Sequence, residues 1–154
     1  MVKALDNALK ALLIFLVGVL TTVVFLQVLI RFVFKSPLPW TEEVSRIAFV
    51  YCIFIGAIVG MRERAHIRVD ALLVMLPPGA QRVLSAASNL IVSVFLIYVI
   101  WQGVEFVRLT GIQMTPVLLI PFQYLYMIIP ISGALMLLYL VLGILNQAWT
   151  RRQG

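Results

Sequence analysis

The chain is short of what a water-soluble domain needs at its surface. Of its 154 residues only 12% are charged and 63% are hydrophobic, and the mean hydropathy is +1.09. A soluble domain is about 25% charged and about 45–50% apolar. This chain therefore lacks the polar residues to cover itself in water and reads as a membrane protein. It has one cysteine, Cys52, set in an apolar run, which excludes an intrachain disulfide and argues against a cysteine-based metal site. It has one histidine, His66, where a haem held between helices takes a pair, and it has no H-E-x-x-H pattern for metal-assisted hydrolysis. Acidic residues are scarce: six Asp and Glu stand against twelve Lys and Arg, for a net charge of +6. The basic residues are scattered between apolar runs and form no cluster, so they fit membrane orientation better than nucleic acid. No catalytic residue, cofactor or metal ligand is assigned on these grounds.

What is present is a series of long apolar runs. Ala11 to Ile30 is twenty residues without a charge, enough to cross about 30 Å of hydrocarbon, and predicts a first span over about 11–34. This run has neither the short core nor the small-residue cleavage site of a signal peptide and is expected to be retained. Lys35, Ser36, Pro37 and Pro39 then turn the chain. Thr41 is placed to cap a second span over 41–61, with Glu42 and Glu43 in its first turn near the positive end of the helix dipole. Between Arg62 and Arg82 charges reappear, and Val69, Leu72, Leu73 and Leu76 recur at helical spacing. They predict a short amphipathic interfacial helix over 67–76. Val83 to Val104 predicts a third span. From Leu109 to Thr150 no charge occurs for forty-two residues, about 63 Å as one helix, too long for a single crossing. Thr110, Gly111, Pro116 and Pro121 break its first part into a loop or re-entrant segment. The fourth span follows over 122–147, kinked at Pro130. The expected fold is all-α: a single membrane domain of four transmembrane helices and one interfacial helix.

With four spans, both termini and the central loop share a side and hold eight of the twelve Lys and Arg. The positive-inside rule then puts both termini in the cytoplasm.

Glu42, Glu43 and Arg46 form the most unusual constellation, because either acid can reach the guanidinium along one helix turn. Two readings stay open, an interfacial ion pair and a buried network against another helix or subunit. His66 and Asp70 lie four apart on one face of the proposed interfacial helix, as its polar face or as a contact with a partner or headgroups. Gly56 and Gly60 make a G-x-x-x-G that permits close helix approach, within the chain or between copies. Glu105 and Arg108 are expected to pair at the end of the third span. Trp40, Trp101 and Trp149 fall near span ends, where interfacial aromatics belong.

The run PLPWTEEVSRIAFVYCIFIGAIVGMRERAHIRVD, Pro37 to Asp70, resembles the second-span region of the small membrane subunit of tripartite ATP-independent periplasmic (TRAP) transporters. The proline-tryptophan start, the acidic pair before Arg46, the span glycines and His66-x-x-x-Asp70 carry the likeness. GIQMTPVLLIPFQYLYMIIPISG, Gly111 to Gly133, is similar to the same family's connection into its last helix. The resemblance implies a bacterial inner-membrane complex of three parts: a periplasmic binding protein for an organic acid, a large sodium-coupled subunit that moves substrate by an elevator motion, and this small scaffold subunit. It also implies that the large subunit is a separate chain and holds the ion and substrate ligands. Glu42, Glu43, Arg46, His66 and Asp70 would then fix the second span and interfacial helix against neighbours. The alternative is a stand-alone four-helix protein, either a homo-oligomeric carrier or an accessory anchor of a respiratory enzyme. A small drug exporter would place a Glu in its first span, and the run from Ala11 to Ile30 has none.

Overall fold

The computed structural model of the protein describes residues 2–35, 38–64 and 77–150. They form α1 (Val2–Val33), α2 (Pro39–Arg64), α3 (Pro78–Thr110), the short α4 (Phe122–Tyr126) and α5 (Ile128–Thr150). The fold is all-α. Four helical stretches are long and apolar enough to cross a membrane: Ala4–Val33, Pro39–Arg62, Gly79–Thr110 and Phe122–Leu145. The expected interfacial helix over 67–76, with His66 and Asp70, lies outside the described residues.

Several element ends differ from the sequence expectation, each for a physical reason. α1 begins at Val2, because Lys3, Asp6 and Lys10 continue the helical path beyond the apolar run. α2 begins at Pro39, whose fixed φ and missing N–H suit a first turn. Thr41 is consequently inside the helix. It is fully buried, and its hydroxyl donates to the Leu38 carbonyl at 2.7 Å. α3 runs past Val104 to Thr110 and takes in Glu105 and Arg108. The fourth span is two helices, with the break at Met127. Pro130 has no N–H to offer the carbonyl four residues back, and the next bond, Ile131 N–H to the Met127 carbonyl, is long at 3.4 Å. Tyr51 of α2 supplies a substitute partner near the break by donating its hydroxyl to the Tyr124 carbonyl at 2.7 Å. In a bilayer such side-chain bonds replace the water that would otherwise solvate a broken helix.

The helices form an open row. α1 packs on α2, α2 on α5, and α5 on α3, with α4 also against α3. The buried apolar residues follow that order: Ala48, Ile55 and Ile58 in α2, Leu125, Ile128 and Tyr139 in α4 and α5, Leu96 in α3, and none among the described side chains of α1. The accessible surface is 11093 Å², against about 7,800 Å² for a compact soluble monomer of this mass. Large apolar side chains stand exposed along the helices, among them Phe15 and Phe25 of α1 and Ile91, Phe95 and Trp101 of α3. α3 and α5 approach closely at two glycines. A Cβ at Gly133 would stand 2.9 Å from Ile100, and one at Gly103 would stand 3.1 Å from Ile129 and Pro130.

Candidate functional site

Polar side chains tie the row together at both ends. At one end, residues 111–121 form a hairpin between α3 and α4. Its two arms are held by Thr115 N–H to the Ile120 carbonyl at 2.9 Å and Phe122 N–H to the Gln113 carbonyl at 2.9 Å. The tip carries apolar residues and leaves backbone groups that neither helix nor sheet can pair. Glu43, buried one turn into α2, meets them: Val117 N–H donates to its Oε1 at 2.8 Å and Leu118 N–H to its Oε2 at 2.9 Å. The Thr115 hydroxyl accepts from Ile120 N–H at 3.1 Å within the hairpin. Leu119, next to the tip, is held at φ 54°, a left-handed conformation that costs a side-chain-bearing residue of order 1–3 kcal/mol. The carboxylate and Thr115 fix the turn on either side of it.

Tyr51 lies two turns beyond Glu43, about 12 Å along α2, and there it touches the start of the fourth span at Tyr124. The hairpin therefore fills the space beside the first turns of α2, and the fourth span begins deeper. Irregular backbone at such depth is tolerated where protein satisfies its donors, and Glu43 does so.

At the opposite end, three helices meet through Asp6 of α1. Arg62 Nε of α2 donates to Asp6 Oδ2 at 3.1 Å, and the Tyr139 hydroxyl of α5 donates to Oδ1 at 2.8 Å. The Arg62 guanidinium also lies over the Tyr139 ring, 5.3 Å from its centroid, so each of the three side chains touches the other two.

Sequence spacing joined Glu42 and Glu43 to Arg46, and the structure divides them. Glu42 pairs with Arg46 at 3.0 Å, with both side chains more than half exposed, while Glu43 turns to the hairpin. Gly56 faces α1, where an added Cβ would meet Leu13 at 3.9 Å, and one at Gly60 would meet nothing within 4 Å among the described residues. Close approach belongs to Gly103 and Gly133, on two different helices. Glu105 and Arg108 are 4.0 Å apart. His66 and Asp70 lie outside the described residues. Asp6, Tyr139, Thr115 and the close contacts at Gly103 and Gly133 carried no sequence signal, because their partners lie between 26 and 133 residues away or on a loop. Among the described residues no three His, Cys, Asp or Glu side chains come together as a metal site. The arrangement binds helices to one another.

Residues 20–150 match the family described as tripartite ATP-independent periplasmic transporters, DctQ component. A Haemophilus influenzae protein named "Putative TRAP transporter small permease protein" is 31% identical over 131 residues, which cover 85% of this chain and 79% of that protein. The isethionate TRAP transporter permease protein DctMQ of Oleidesulfovibrio alaskensis is 28% identical over 70% of this chain, which spans 17% of that longer protein. The sialic acid TRAP transporter permease protein SiaT of Haemophilus influenzae is 33% identical over 51% of this chain and 13% of its own length. The apolar four-span architecture and the match over most of its length place the chain in one family: it belongs to the DctQ component, the small permease subunit, of TRAP transporters.

Proposed function

We propose that this chain is the fixed scaffold of a sodium-coupled importer of an organic acid. In this reading a periplasmic binding protein delivers the substrate and a large permease part carries it across by an elevator-type movement. The observation that supports it most is the use of the two sheltered carboxylates: Glu43 holds hairpin backbone and Asp6 holds two other helices. Carboxylates committed in this way stiffen a support, whereas coupling-ion ligands must release their ion in every cycle. The longer relatives favour a large permease partner, since this chain corresponds to only 17% and 13% of their lengths. Their names carry isethionate and sialic acid, both organic acids, which supports that substrate class here. The excess of Lys and Arg on the side of the termini supports an orientation with both termini cytoplasmic and the 111–121 hairpin periplasmic.

Sodium-dependent uptake into proteoliposomes tests the reading. Transport is expected only when the large permease, the binding protein and this chain are all present. Transport by this chain alone, recovered as a symmetric oligomer, would overturn it. Leu119→Cys in a Cys52→Ser background is expected to react with an impermeant maleimide from the periplasmic face only.

A further inference from the structure

The two edges of the helix row differ in chemistry. The α1 edge exposes Ile14, Phe15, Phe25 and Phe32, and Thr22 returns its hydroxyl to the Gly18 carbonyl at 2.8 Å. That is a face for lipid. The α3 edge carries a groove of about 460 Å³ running from Phe95 to Leu109, floored by Gly103 and Ile129. Phe95, Tyr98, Gln102, Phe106 and Leu109 line it at spacings of three, four, four and three residues, which place them along one face of α3.

The depth of this groove makes the polar residues in it informative. Tyr51 meets Tyr124 two turns beyond Glu43, and Gly103 and Ile100 of α3 lie against Ile129, Pro130 and Gly133 of α5, a further two turns along. At the helical rise, Gln102 lies about 20 Å deeper than Glu43, between the levels of Tyr51 and Arg62. There the exposed Gln102 donates from Nε2 to the Tyr98 hydroxyl at 2.9 Å. One turn away lies Glu105, with its side chain 51% exposed, and 4.0 Å from it Arg108, 76% exposed, near the end of α3. An amide at this level, followed one turn on by a carboxylate on the same outer face, does not suit hydrocarbon. Such groups in spans face protein or enclosed water.

We infer that the α3 groove seats a transmembrane helix of the large permease part, one that presents polar side chains to Gln102, Glu105 and Arg108. The inference rests on the scaffold reading and adds to it the face that is used. The longer relatives, in which most of the polypeptide lies beyond the part matched by this chain, favour that occupant over a second copy.

The test is photo-crosslinking in membranes that contain this chain and a tagged large permease of the same transporter. Tyr98→p-benzoylphenylalanine and Phe106→p-benzoylphenylalanine probe the groove, and Phe25→p-benzoylphenylalanine probes the α1 edge. Light-dependent adducts with the permease at 98 and 106, and none at 25, are expected. Gln102→Trp, which fills the groove, is expected to weaken the complex about tenfold, with Phe25→Trp neutral. Adducts at 25 with none at 98 or 106, or adducts only between copies of this chain, would overturn the inference while the two polypeptides still co-purify. Failure of the two polypeptides to co-purify at all would instead refute the scaffold reading, and the inference with it.

Discussion

The two ends of the helix row are tied by the same functional group in different ways. At the hairpin end the carboxylate of Glu43 accepts from two consecutive backbone N–H groups on a loop. At the opposite end the carboxylate of Asp6 accepts from side chains on two other helices. The first tie completes a segment that has no regular structure to lean on. The second joins helices whose backbones are already satisfied. Losing the first should therefore unmake an element, whereas losing the second should loosen the packing of elements that persist.

The largest effect is expected from Glu43→Ala. It removes two charge-assisted bonds and strands the Val117 and Leu118 N–H groups where little else can accept them. Amide hydrogen exchange over residues 111–121 should rise to that of an open loop, and the detergent-solubilised protein should melt several degrees lower. Glu43→Gln keeps one acceptor oxygen and should recover part of the protection. Unchanged exchange in Glu43→Ala would show that the hairpin is held by its own bonds and would erase the contrast between the ends.

Next in size is the Asp6 and Arg62 pair, whose side chains are 17% and 32% exposed. Asp6→Asn, Arg62→Gln and the double variant form a cycle whose coupling is expected at about 1–2 kcal/mol, near the upper range for interhelical polar contacts in membranes. Exchange in the hairpin should stay as in the parent, because the two ties are separated by most of the length of α2. Tyr139→Phe keeps the ring beneath Arg62 and removes only the hydroxyl, so a loss of about 0.6 kcal/mol is expected. Denaturant titration in mixed micelles reads both. A larger loss in Tyr139→Phe than in Asp6→Asn would move the centre of the tie from Asp6 to Tyr139.

The fold was more legible in the sequence than the ties. Apolar runs and their breaks report local free energy, so four spans, the break between α1 and α2 and the irregular stretch after Thr110 could all be read in order. Helix ends were less legible where charged residues simply continue a helix, as Asp6 does in α1 and Glu105 in α3. Glu43 was visible as unusual, but spacing offered Arg46 as its partner, because i,i+3 neighbours are the only ones that a sequence displays. Its actual partners lie 74 and 75 residues away. Asp6 and Tyr139 are 133 residues apart and belong to no motif. The small-residue contact was sought at Gly56 and Gly60 on a single helix, whereas Gly103 of α3 packs on Ile129 and Pro130, and Gly133 of α5 on Ile100. That packing depends on how far α3 and α5 slide past each other, which nothing local determines.

The smallest effect is expected from Arg46→Ala. Its partner Glu42 is exposed, Glu43 is already satisfied by the hairpin, and exposed pairs of this kind contribute about 0.2–1 kcal/mol. Both the melting temperature of the isolated chain and hairpin exchange should stay close to the parent. This sharpens the comparison of the two ends, since it separates a carboxylate that builds the fold from one that only decorates it. It also gives Glu42 and Arg46 a clean assay, because a variant that leaves the isolated chain intact can lower the yield of the complex only through contacts outside this chain. Loss of complex with an unchanged melting temperature would assign the pair to a partner surface. Loss of both would mean that Arg46 supports Glu43 through its charge, and the hairpin tie would then extend to a third residue.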